Sequence, residues 1–306
     1  MKPNRLLLLL LALVIVFSGS LWAQTVTQPV GNSGSVDWSS QVLRATGIGS
    51  PNPNMPQTAQ RAGAIEAAKL AALRNLLGTV LGMTLNSETT VRNYVVENDV
   101  INTRVRGIVR GYTVVDTKYM STGDIEVTVE MPITGALSDA LLPQQMGGTP
   151  IMAAGADLCP TCGQPWPAGK PVPPGVQLIH RGSAGTQAAQ QSGGAYTGLI
   201  VDAKGLGIRP AMAPKIVDEN GQEVYGSKYV SRDWAVQIGM VGYDKNVSHA
   251  KTNDRVTNNP LVVKALRVSG PNKADVVVSN AAAASIRNAA ATQNFLDKCK
   301  VMFIVD

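Results

Sequence analysis

Ile125, Val127, Val129 and Met131 alternate with Glu126, Thr128 and Glu130, and this stretch limits the fold more than any other. Successive side chains of a strand point to opposite faces, so the segment buries one face and wets the other. That pattern belongs to an antiparallel sheet covered on one side. Residues 105–119 read as the preceding strand, joined to it in a hairpin around Ser121, Thr122, Gly123 and Asp124. The cover comes from upstream. Ala62, Ile65, Ala68, Ala72, Leu73, Leu76 and Val80 recur at helical spacing, Arg61, Glu66, Lys69 and Arg74 occupy the other side, and Gly82 supplies a stop. A short strand at 41–46 and a turn-rich stretch at 47–56 precede that helix, and 93–102 reads as a second, shorter helix. Together these segments predict an α+β unit over residues 37–142, a helix on an antiparallel sheet, with Ile65, Leu73, Leu76, Val127 and Val129 in its core.

Beyond Leu142 the periodicity stops. Residues 143–194 accumulate Gly, Pro, Gln and Ser, which bury too little apolar surface to offset their ordering entropy, so the segment reads as a linker. A second unit is expected over 196–306. Strands are predicted at 197–202, 215–218, 261–268 and 274–279, and Asn220-Gly221 is a strong hairpin signal. Asn280 is placed to cap an alanine-rich helix reaching residue 296, and 300–305 closes the chain as an apolar strand. Continuous apolar strands around a helix imply an α/β unit whose sheet is buried on both faces, with Ile200, Val263, Val277 and Ile304 in its core.

The first 23 residues set the compartment. Lys2 and Arg5 precede an unbroken apolar run from Leu6 to Phe17, and Ser18, Gly19 and Ser20 lead to Ala23, the order of a secretory signal peptide. The apolar run is shorter than the roughly 20 residues a spanning helix needs. Losing Lys2 and Arg5 with that leader lowers the formal net charge from +6 to +4, and no run of basic residues marks a nucleic-acid footprint. Aromatic residues make up only 5% of the chain, a composition that favours tight aliphatic layers over a deep aromatic cleft.

Residues 67–132 carry a family resemblance. The segments AAKLAALRNLLGTVLGMTLNSETTV, NDVINTRVRGIVRGYTVVDTKY and GDIEVTVEMPITG resemble the twenty-kilodalton lipoprotein family of bacterial envelopes. That family shares its domain with the N-terminal part of the flagellar assembly protein FlgT. The resemblance rests on the alanine-rich helix ending in Arg74-Asn75-Leu76, a strand start over 106–111, and the Gly-Asp hairpin into the alternating strand. It implies a periplasmic or outer-membrane-associated, non-enzymatic role, connected in some members to flagellar structures, and transfers no catalytic residue. No cysteine follows the apolar run, so the lipid anchor of the family is not carried over. Residues 196–203 and 205–210 are similar to segments found beside such domains in exported bacterial proteins. The partners implied are envelope or flagellar proteins, peptidoglycan, or a second copy of the chain.

The sharpest chemical motif is Cys159-Pro160-Thr161-Cys162-Gly163. Two thiols two residues apart form half of a tetrahedral zinc site, for which His180 is a candidate third ligand; a Cys159–Cys162 disulfide or thiol exchange is the alternative in an oxidising compartment. Cys299 reads as a small buried hydrophobe near the end of the last helix. Gly205-Leu206-Gly207 lacks the residues of a phosphate loop and reads as a turn, as does Asp202. Ser248 and His249 are neighbours without a nucleophile elbow. The reading is a binding or structural protein of the envelope without catalytic residues, against the alternative of a zinc or thiol-redox protein using Cys159 and Cys162.

Overall fold

A computed structural model of the chain describes residues 25–149, 157–160, 166, 170–173, 176–180 and 195–306. The predicted leader, 1–23, lies outside them. Among the described residues no helix is long and apolar enough to cross a membrane.

The first unit is a five-stranded antiparallel sheet under one long helix. Strands β1 (Thr27–Val30), β2 (Gly34–Asp37), β3 (Val42–Gly49), β4 (Thr113–Tyr119) and β5 (Ile125–Pro132) lie in the order β1-β2-β3-β5-β4. β5 shows the expected alternation: Ile125, Val127, Val129 and Met131 are buried, while Arg44 on β3 pairs with Glu130 at 2.7 Å on the wet face. Helix α1 (Gln57–Gly82) covers the dry face. Its buried seam is Ala64, Ala68, Ala72, Leu76, Thr79 and Val80, so Ala62 stays exposed and Ile65 and Leu73 flank the seam half-buried. Small residues let the helix come close. A Cβ on Gly47 would lie 2.1 Å from the Ala72 nitrogen, and one on Gly49 would lie 2.1 Å from the Ala64 carbonyl oxygen. The backbone of β3 therefore rests directly on the backbone of α1, and Asn75 Nδ2 donates to the Thr46 carbonyl at 2.6 Å.

Three expectations are corrected here. The unit starts at Thr27 rather than residue 37, because β1 and β2 are four-residue strands too short to show a period. The single helix at 93–102 is two, α2 (Val91–Val96) and α3 (Asp99–Val109). Thr90 Oγ1 accepts from Asn93 N, Asn98 Oδ1 accepts from Ile101 N, and each cap starts its own helix. Finally, residues 105–109 and the strand start at 106–111 are helix and turn. Val105 and Val109 are both buried at i, i+4 spacing, with Asp99 in the first turn and Arg106 in the last, where they oppose the helix dipole.

The second unit is a mixed seven-stranded sheet. Its strands are β8 (Gly198–Asp202), β9 (Ile216–Val217), β10 (Glu223–Tyr225), β11 (Gly242–Asp244), β12 (Pro260–Ser269), β13 (Asp275–Val278) and β14 (Val301–Ile304), in the order β10-β9-β13-β12-β8-β14-β11. β14, β8 and β12 run parallel to one another, and every residue of β13 and β14 is buried, as continuous apolar strands require. Asp218 and Gln222 close the Asn220-Gly221 hairpin, with Gly221 at φ 77°. The last helix, α7 (Asn280–Gln293), is capped by Ser279 rather than Asn280: Ser279 Oγ accepts from Ala282 N at 3.1 Å. Shorter helices α4 (Ala136–Leu141), α5 (Arg232–Ile238) and α6 (Val247–Ala250) complete the two units. Between them, β6 (Asp157–Leu158) and β7 (Ile179–His180) pair as a small antiparallel ribbon.

Buried residues of both units join in one cluster, and Ile200, Ala250, Val256, Met302 and Ile304 of the second unit form a smaller separate one. Trp38 packs edge-on against Tyr243 with centroids 5.6 Å apart, and Tyr243 against Phe303 at 6.0 Å. Backbone bonds stitch the same boundary: Met212 and Ala213 donate to Thr84 and Leu85, and Gly135 donates to Val236. Ser87 Oγ donates to Asp275 Oδ2 at 2.5 Å. The predicted linker begins inside this assembly, since Gly147 N donates to Ser227 O and Arg232 Nε donates to Pro143 O. Arg232 Nη1 also reaches Asp139 Oδ1 at 2.7 Å, and Arg104 pairs with the same carboxylate.

Two predictions come from this packing. Gly47→Ala should lower unfolding free energy by about 3 kcal/mol in urea titrations, because the new methyl meets helix backbone that has nowhere to move; a change below about 0.5 kcal/mol would show that the helix is free to shift. Asp139 has its carboxyl held below the ordinary 3.8 by the Arg232 guanidinium, partly opposed by burial. A depressed carboxyl adds stability above its unfolded value and loses it as pH falls through the folded value, so the wild type should destabilise more steeply below about pH 4 than Asp139→Asn. At pH 7 that substitution should cost no more than about 1 kcal/mol, since a partly exposed pair is screened.

Candidate functional site

A cleft of about 490 Å³ opens where the two units meet, within the roughly 300–1,000 Å³ of ordinary ligand sites. The first unit contributes Ser39, Ser40 and Gln41 from the β2–β3 turn, together with Thr134. Local bonds fix that turn. Asp37 Oδ1 accepts from Ser39 N and Ser40 N, Ser39 Oγ donates to Tyr243 O, and Gln41, at φ 55°, donates through Nε2 to Val241 O. The second unit contributes an apolar wall with Trp234, Ile238, Tyr243 and Met302, and three cations, Arg255, Lys298 and Lys300.

Arg255 is the centre of the polar side. Its Nη1 donates to the carbonyls of Gly239 at 3.0 Å and Cys299 at 2.9 Å, and Nη2 donates to the carbonyl of Ile238. One guanidinium thus closes the C-terminal end of α5 and ties it to the chain before β14. Burial pulls its proton affinity down, opposed by nearby Tyr225, Cys299 and Tyr243; an arginine still keeps its charge. Among the described residues no carboxylate lies within ion-pair distance of Arg255, Lys298 or Lys300, and Asp254, which lines the same cleft, pairs with none of them.

Cys299 arranges the two lysines. It lies beyond the last helix, not near its end, at a left-handed φ of 54°. That turn sends the thiol into the core, while Lys298 and Lys300 on either side line the cleft. The reason to tolerate the strain is the Cys299 carbonyl, which accepts from both Arg255 and Val301. Burial pushes the Cys299 thiol up to about 12. Tyr225 beside it is pushed well above its ordinary value by burial as well, and donates to Met240 O at 2.5 Å.

The residues singled out by the sequence fall elsewhere. Cys159 is half-buried directly after β6, and Cys162 lies outside the described residues. The β6–β7 register sets Asp157 opposite His180, so the chain brings the Cys159 and His180 segments together. Among the described residues no group of three or more His, Cys, Asp or Glu is arranged to hold a metal ion. Asp202 Oδ1 accepts from Lys204 N in a turn. The N–H groups of Gly205 and Gly207 donate to the Asp306 carboxylate at 2.7 and 3.3 Å, so this glycine nest is occupied by the chain itself. His249 Nδ1 lies 2.5 Å from Asp244 Oδ2, a pairing across the β11–α6 turn that the sequence reading missed. Ser248 is engaged there through its N–H, which donates to Asn246 Oδ1.

Comparison with known proteins reaches the second unit. Residues 198–306 match the family model described as the second domain of Treponema pallidum Tp0624. No curated protein matches the chain. The matched span opens at the first residue of β8 and includes Trp234, Arg255, Lys298 and Lys300, whereas Ser39, Ser40 and Gln41 lie outside it. The cleft residues were not marked by any motif. The available signals were a tryptophan in a chain poor in aromatics and two lysines flanking a cysteine before an apolar strand.

The Cys299 geometry makes a direct prediction. With the thiol buried and raised to about 12, iodoacetamide at pH 8 should leave Cys299 unmodified in the folded protein and alkylate it fully in urea, read by peptide mass spectrometry. Rapid labelling in the folded state would contradict this burial.

Proposed function

We propose that this chain is an exported protein of the bacterial cell envelope that binds another envelope component and performs no chemistry. The observation that carries the reading is the cleft: cations, hydrogen-bonding groups and apolar side chains line one cavity, at a boundary across which a hydrophobic cluster is continuous. Such a surface recognises a ligand without needing a reacting group. Export is supported by the leader pattern of residues 1–23 and the envelope setting by the lipoprotein-family resemblance of residues 67–132. Flagellar proteins and peptidoglycan are the partner classes that this resemblance suggests.

The test is isolation of the native protein from its own cells. The mature chain should begin near Gln24, fractionate with the periplasm or outer membrane, and co-purify with an envelope protein or with sacculi. The Lys298→Ala/Lys300→Ala variant should lose that partner while keeping its melting temperature. An uncleaved cytoplasmic chain, or a partner retained equally by the variant, would sink the reading.

A second reading has one observation in its favour. The β6–β7 register pairs Asp157 with His180, so the backbone segments of Cys159 and His180 run close together, as a zinc site drawing on both would require; Cys162 lies outside the described residues. Metal analysis of the purified chain discriminates: stoichiometric zinc lost in Cys159→Ser/Cys162→Ser supports this reading, and a closed disulfide without metal ends it. In either case that variant should leave the melting of both sheets unchanged, because the motif lies outside them.

A further inference from the structure

We infer that the cleft between the two units takes a carboxylate that carries an apolar group beside it. This rests on the binding reading above and names the chemistry of its ligand. Two independent features lead there.

The first is the charge left unmatched. Arg255, Lys298 and Lys300 face a cavity that Asp254 also lines, three cations to one carboxylate, and among the described residues none of the three is in ion-pair contact with an acid. Solvated lysines are common on any surface, but Arg255 is half-buried and pinned. Its three hydrogen bonds to the carbonyls of Ile238, Gly239 and Cys299 fix the guanidinium plane and use both Nη1 protons and one on Nη2. Among the described residues the Nε proton and one Nη2 proton meet no acceptor. Those two nitrogens share the edge on which an arginine grips a carboxylate at two points.

The second is the space beside that edge. Gly242 lines the same cleft, and a Cβ placed on it would lie 2.8 Å from Arg255 Nε. Any side chain there would overlap the Arg255 stem and Nε, so glycine is what lets the β11 backbone and the guanidinium share this edge of the cleft. Trp234 and Met302 line the same cleft and supply apolar surface, Met302 beside Arg255 at Gly242. Trp234 is 40% exposed, a large ring kept partly in water at the rim of the site. A fixed donor edge, two mobile cations and an apolar wall within about 490 Å³ suit a carboxylate attached to an aliphatic body. The free acid of a small amphipathic molecule and the C-terminus of a peptide share that chemistry.

The experiment uses the full mature chain and three probes: N-acetyl-leucine, its amide N-acetyl-leucinamide, and an acetylated hexapeptide of five alanines ending in leucine with a free carboxylate. Binding is read by titration calorimetry and by the indole resonance of Trp234. The acid should bind about tenfold or more tighter than the amide, as loss of a charge-assisted pair implies. Affinity should weaken as salt is raised. Lys298→Ala/Lys300→Ala should reduce the acid's affinity about tenfold with the melting temperature held, and Gly242→Ala, whose methyl meets the Arg255 side chain and lowers the melting temperature, should reduce it at least as much in the folded protein. These variants keep the test sound if Arg255→Lys fails to fold. A hexapeptide tighter than the small acid points to a peptide end, and equal affinities point to a small molecule; both support the inference. Equal binding of acid and amide overturns it, as does full affinity in both variants. If no probe perturbs Trp234 while the wild-type chain still retrieves an envelope partner, the carboxylate falls and the binding reading stands. If the acid binds as expected and no partner is retrieved, the inference holds and the envelope reading fails.

Discussion

The contact between β3 and α1 sets the geometry of the first unit. Gly47 and Gly49 sit under Ala64, Ala68 and Ala72, and neither strand position has room for a Cβ. A helix resting on large side chains leaves a layer of them between helix and sheet; here backbone meets backbone. Close approach alone buries little area per residue, so the free energy must come from what the approach brings in. Leu76, Val80, Val127 and Val129 are fully buried beside the seam, each contributing about 1.5–3 kcal/mol. The alanine seam is therefore a spacing device, and the larger side chains around it supply most of the burial energy.

That spacing propagates to the boundary between the units. With α1 held close, the turn after its C-terminus reaches the second sheet, and Thr84, Leu85 and Ser87 meet Met212, Ala213 and Asp275. On the other side of the unit the β2–β3 turn delivers Trp38 to Tyr243. Tyr243 then holds the boundary from within: its hydroxyl donates to Ala211 O and accepts from Ala211 N, while its ring bridges Trp38 and Phe303. An aromatic ring with its one polar atom doubly satisfied tolerates full burial. The two sheets consequently behave as a single packed body rather than beads on a linker.

The fold was legible where a side-chain period is long enough to count. The β5 alternation, the α1 repeat, the Asn-Gly hairpin and the apolar β8, β13 and β14 all lie where the pattern puts them. It was illegible where two periods overlap: Val105 and Val109 fit a strand and a helix equally, and only the cap at Asn98 decides. Short strands β1 and β2 carry no period at all. The cleft was invisible for another reason. Arg255, Lys300, Gly242 and Ser39 come from four separate segments, and no local spacing relates them.

Cys299 shows why such a site resists a motif search. Its side chain is there to fill the core, its φ of 54° to turn the chain, and its carbonyl to anchor Arg255. Each role constrains a different atom, and only the first is visible in the residue type. A half-buried arginine needs acceptors for its donors, and three backbone carbonyls serve three of its five without bringing in a negative charge. Carbonyl acceptors satisfy hydrogen bonds but leave the unit charge uncompensated, whereas a carboxylate in the same place would have removed both. The fold thus holds a pinned, half-buried cation at the edge of a cavity. Asp254 in the same cleft offsets one of its three cations at a distance, and the remaining compensation comes from solvent, counter-ions or a ligand.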